Sequence, residues 1–139
     1  MHSTNYYNTF IEVADDCPVT EAAAPPQRAE KTVANIHYDV LAGSPHRFTS
    51  DEVIFEVHRE KNRISDDAVA AERERFFAKG QACLRSSPLA KRYGWGIHHD
   101  SEGKLAIYPL GSEEYGRYAN DPTVKHLKAM RSRRGQTAR

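Results

Sequence analysis

Hydrophobic and polar positions alternate first in YYNTFIEVA, where Tyr7, Thr9, Ile11 and Val13 take every second place, the period of a half-buried strand. Asp15-Asp16-Cys17-Pro18 ends that run, and the Pro pair in TEAAAPPQRAE marks an ordered loop. From Glu30 the period changes. Val33, Ile36, Val40 and Leu41 share one helical face, and Gly43 followed by Pro45 stops it. Thr49 and Glu52 stand at capping-box spacing before Val53, Ile54 and Val57, which favours a second helix, although VIFEV also alternates as a strand. A third helix is expected after Ser65-Asp66-Asp67, with the acidic groups at its positive end and Val69, Phe76 and Phe77 buried before Gly80.

The second half opens with Ser86-Ser87-Pro88, a cap followed by a first-turn proline, so a short helix is expected with its free amides outward. WGIHHDSEGKLAIYP then reads as a hairpin turning at Asp100 to Gly103, with Trp95, Ile97 and His99 matched by Leu105 and Ile107 on one face. Ser112 starts another short helix. Asp121-Pro122 predicts a last one carrying Val124, Leu127 and Met130, and the basic tail from about 131 to 139 has no apolar face and is expected to fray. The elements sum to a single α+β domain over residues 1–139: a small antiparallel sheet, made of the N-terminal strand and a hairpin near 94–109, with helices packed on one face.

Composition narrows the partners. The apolar runs are far shorter than the ~20 residues a bilayer demands, and the amino terminus lacks a secretion pattern, which places the expected protein in the cytoplasm and off the membrane. Cys17 and Cys83 form no paired motif and read as reduced thiols, with no metal framework and no cofactor indicated. Residues 1–60 carry four cations against ten carboxylates and residues 61–139 sixteen against nine, so the halves attract one another or the second faces an anionic partner. The basic stretch from Lys125 through Arg134 argues little for nucleic acid, because the chain as a whole is not basic. GxxxxGKS, GxGxxG, GxSxG and HExxH are all missing, which removes P-loop hydrolases, Rossmann dehydrogenases, standard α/β-hydrolases and common zinc proteases.

Candidate chemistry concentrates in CLRSSPLAKRYGWGIHH. Arg85, Ser86, Ser87, Lys91 and Arg92 surround the capped helix start, with Tyr93 and Trp95 alongside, as a corner for an anionic small molecule or an acidic protein surface. The alternative is a small enzyme with Cys83 as nucleophile and His98 or His99 as acid and base. Neighbouring histidines on a strand point to opposite faces, so His98 and His99 cannot close together on one metal ion. Assembly as a homo-oligomer stays open.

The stretches NTFIEVADDCP, KTVAN, FTSDEVIF, FFAKGQACLRSSPLAKRYGWGIHH and KAMRSRR, in order along nearly the whole chain, resemble a family of short bacterial and fungal proteins known only as a domain of unknown function. The resemblance implies a single-domain cytosolic protein. It carries over no activity, ligand or catalytic residue.

Overall fold

The computed structural model describes residues 1–132. The expected frayed tail therefore lies, from residue 133 onward, outside the described residues. Thr9–Glu12 form strand β1, flanked on one side by an antiparallel hairpin of β2 (Trp95–His99) and β3 (Leu105–Pro109), in register Ile11 to Ile97 to Ile107. On the other side of β1 lies β4 (Lys125–Lys128), parallel to it, so the sheet runs β3-β2-β1-β4 and is mostly antiparallel.

β4 corrects the sequence expectation of a helix after Asp121-Pro122. Asp121 does act as a local cap, but its carboxylate accepts from the amide and hydroxyl of Thr123 and closes a turn. The chain then reaches the open edge of β1, where the Lys125 amide donates to Asn8 O and the Ala129 amide to Glu12 O. Ladder bonds to an existing strand outweigh the helical spacing of Val124, Leu127 and Met130, since an isolated two-turn helix is barely stable.

The helices follow their caps. α1 (Val33–Leu41) begins later than Glu30 because Thr32 is the cap, sharing a reciprocal box with Asn35. α2 (Ser50–Asn62) begins with the Thr49 and Glu52 box, and the strand reading of VIFEV is thereby lost. The N-terminal segment adds to that cap: Asn5 Oδ1 accepts from the Asp51 amide while the Asp51 carboxylate accepts from Thr4. α3 (Val69–Phe76) is weaker than expected. Ser65 spends its hydroxyl on Asp67 and provides no cap, a 3-10 turn over Asp66–Ala68 leads in, and of the three predicted apolar anchors only Phe77 is buried, with Val69 and Phe76 half-buried. α4 (Pro88–Arg92) starts at Ser87, whose hydroxyl accepts from the Leu89 amide, and α5 (Glu113–Ala119) starts at Ser112.

Alternation along the strands divides the core in two. Ile11, Ile97 and Leu105 face α1, α2 and α4 together with Leu41, Val53, Leu84 and Leu89, and α3 packs onto α2. On the other face Phe10 meets α5 through Tyr115; Val13, past the end of β1, joins this cluster rather than the Ile11 side its spacing predicts, and the Tyr115 hydroxyl accepts its amide at 3.0 Å. Gly96 is required there: a Cβ would lie 2.5 Å from the Phe10 ring and 2.7 Å from that of Tyr115. Charges of the two halves also meet, as Lys128 on β4 pairs with Asp15 at 2.7 Å.

Candidate functional site

The residues of CLRSSPLAKRYGWGIHH separate into three groups. Arg85 is turned inward along the chain: its Nε donates to Lys128 O at 2.7 Å and its carbonyl accepts the Met130 amide, which ties down β4. Trp95 is half-buried, set edge-on against Tyr38 with its indole N–H donating to Ala23 O, while the Tyr93 carbonyl accepts the Ala23 amide. Lys91 is half-buried and Arg92 exposed on α4. Contrary to the outward-facing amides expected of this cap, Ser87 is buried, and its hydroxyl lies 2.8 Å from Nδ1 of His37 as well as capping Leu89.

His98 and His99 occupy opposite sheet faces, as alternation requires. His98 Nδ1 lies 2.9 Å from His46 Nε2 and its ring stacks on Tyr118 at 3.9 Å; burial, then the His46 charge, depress its pKa to about 4. His99 is fully buried, edge-on to Tyr6, and neither ring nitrogen has a hydrogen-bond partner among the described residues. Burial brings its pKa to about 4 too, although the nearby Thr9 and Ile97 carbonyls pull the other way. Neither histidine is bonded to Cys83. The Cys83 thiol meets Tyr6 instead, Sγ to the phenol oxygen at 3.2 Å, and burial followed by that bond pushes the tyrosine up to about 12.

Cys83 and Ser86 also belong to a larger feature. Where α1, the last two turns of α2 and residues 82–86 converge, they line a cavity of about 350 Å³, open to solvent, with walls of Val33, Ile54, Val57, Phe76, Ala82 and Leu84. Such a volume suits a small ligand. Its polar lining is His37, His58, Lys61, Asn62, Cys83 and Ser86, with no carboxylate among the described residues of the wall. Lys61 stands at the outer end, donating to Lys31 O just before α1. His58 stacks on Phe76 at 4.4 Å with Nε2 3.4 Å from Glu72 and Nδ1 3.3 Å from the Asn62 amide. His37 lies on α1 a turn beyond Val33, 4% exposed, and burial alone lowers its pKa to about 4, so it is neutral at pH 7.

Sequence reading found Cys83 and Ser86 but did not bring His37, His58 and Lys61 to them, which lie more than twenty positions upstream. The only signal was indirect: both histidines sit among apolar helical positions, a pattern that buried structural histidines share. Among the described residues no group of three or more His, Cys, Asp or Glu side chains is placed to hold a metal ion. No helix among them is long and apolar enough to cross a membrane.

A family model described as a family of unknown function, DUF6157, matches residues 1–135. The chain belongs to that family. Comparisons with curated proteins and with solved structures gave no match.

Proposed function

We propose that the protein is a binding module for a small molecule with an apolar body and a carboxylate, seated in the cavity between α1 and α2. The carrying observation is the lining: six apolar side chains, a cluster of hydrogen-bonding groups and, among the described residues of the wall, the Lys61 ammonium with no carboxylate in the wall itself, Glu72 lying behind His58. Apolar walls stabilise the body by removing it from water, and an ammonium at the mouth discriminates in favour of an anion. The basic corner named from sequence contributes Ser86 directly and Ser87 through His37, whereas Arg85 holds β4.

The test is a thermal-shift series of short- and medium-chain monocarboxylates against the amines and alcohols of equal length. An acid at a hundred times its dissociation constant adds about 2.7 kcal/mol, several degrees for a domain of this size, and the amines add nothing. Val57→Trp fills the cavity and abolishes the shift while retaining the helical circular dichroism. No shift from any acid overturns the reading.

A second reading treats Cys83 as a reactive thiol, because it shares the cavity wall with His37 and His58 and is bonded to Tyr6. It requires alkylation by iodoacetamide well below pH 8, suppressed by a bound acid. Resistance of the folded protein at pH 9 removes it.

A further inference from the structure

The hydrogen-bond arithmetic around Ser87 determines what His37 offers a ligand. Two contacts of the Ser87 hydroxyl oxygen occur among the described residues, the Leu89 amide and His37 Nδ1. The amide can only donate, so the oxygen accepts from it. The hydroxyl proton then needs an acceptor of its own, and in this buried setting His37 Nδ1 is the one within reach. With Nδ1 accepting, the ring proton must sit on Nε2. That N–H has no hydrogen-bond partner among the described residues, on a side chain 4% exposed that forms part of the cavity wall. Among the described residues the fully buried side-chain nitrogens without a partner are those of His99, so His37 Nε2–H keeps contact with the open cavity, and a ligand oxygen there takes the place of water on it.

Resting on the binding reading above, we infer that the ligand is an oxo acid: besides the carboxylate met by Lys61, it carries a carbonyl or similar oxygen acceptor in its tail, received by His37 Nε2–H. The two polar groups mark opposite ends of the wall. Lys61 reaches the Lys31 carbonyl ahead of α1, whereas His37 sits a turn inside it against α4. From Val33, the first residue of α1, to His37 the helix rises about 6 Å at ~1.5 Å per residue. Because the inner donor is a neutral imidazole, it selects an acceptor without demanding a second charge there. A tail ending in an amine would place donor against donor.

The experiment compares 6-oxoheptanoate, whose carbonyl and carboxylate stand about that far apart, with heptanoate and 6-aminoheptanoate by calorimetric titration. The expected order is oxo acid about tenfold tighter than the plain acid, as one additional buried hydrogen bond gives, and the amino acid weakest. His37→Phe removes the preference for the oxo acid over the plain acid. Should that variant not fold, imidazole nitrogen NMR of the wild type decides: free protein shows His37 protonated at Nε2, and 6-oxoheptanoate shifts that resonance where heptanoate does not. Both acids binding equally, or His37 protonated at Nδ1, overturns the oxo-acid inference and leaves the binding reading standing. Neither acid binding overturns the binding reading itself.

Discussion

His99 shows how much a single residue can withhold from sequence. Its place on the inward face of β2 beside Ile97 follows from alternation, yet nothing in WGIHHD reveals that both ring nitrogens, next to Tyr6, find no partner among the described residues. Partnering depends on which segments close over a face, and that is a tertiary fact. An unsatisfied buried polar group costs roughly 1–3 kcal/mol, so His99→Leu raises stability by about that amount in urea unfolding. A loss of stability instead would mean that the Thr9 and Ile97 carbonyls bind the ring more firmly than their geometry indicates. Gly96 is a second case: the rings over its bare backbone are those of Phe10 and Tyr115, neither of them a neighbour in sequence.

At the scale of elements, the parts written in local chemistry were readable. The Thr49 and Glu52 box, the Ser87-Pro88 start and the hairpin turn at Asp100 to Gly103 all depend on neighbours within four residues. β4 was not, because its existence depends on a vacant edge more than a hundred residues earlier in the chain. The same holds for Arg85, which sequence alone placed at an anion site. Its guanidinium holds Lys128, the last residue of β4, and its carbonyl holds Met130 just after it. Arg85→Ala therefore removes about 0.5–1.5 kcal/mol and, in hydrogen exchange, deprotects β4 ahead of β2 and β3. Unchanged protection of residues 125–129 would assign Arg85 to solvent or ligand rather than to the fold.

Across the whole molecule, three buried histidines make stability depend on pH. His37, His98 and His99 each have a folded pKa of about 4 against an ordinary 6.5, with burial the first cause in every case. Between those values the unfolded chain binds more protons than the folded one. Stability is therefore fully present above pH 6.5 and is lost as pH falls towards 4, at up to about 1.4 kcal/mol per pH unit for each histidine. Urea midpoints measured from pH 7.5 to 4.5 check this, and a flat profile would show the three rings to be solvated. His37 links this property to the cavity, since an imidazole kept neutral by burial remains a fixed donor through the physiological range.

The most direct test of the binding account is an amide NMR titration of the protein with heptanoate. The cavity predicts saturable shifts concentrated at Val33, His37, Ile54, Val57, Lys61 and Leu84, where α1 and α2 meet residues 82–86. Shifts confined to Lys91, Arg92, Tyr93 and Trp95, or none at saturating acid, would contradict it.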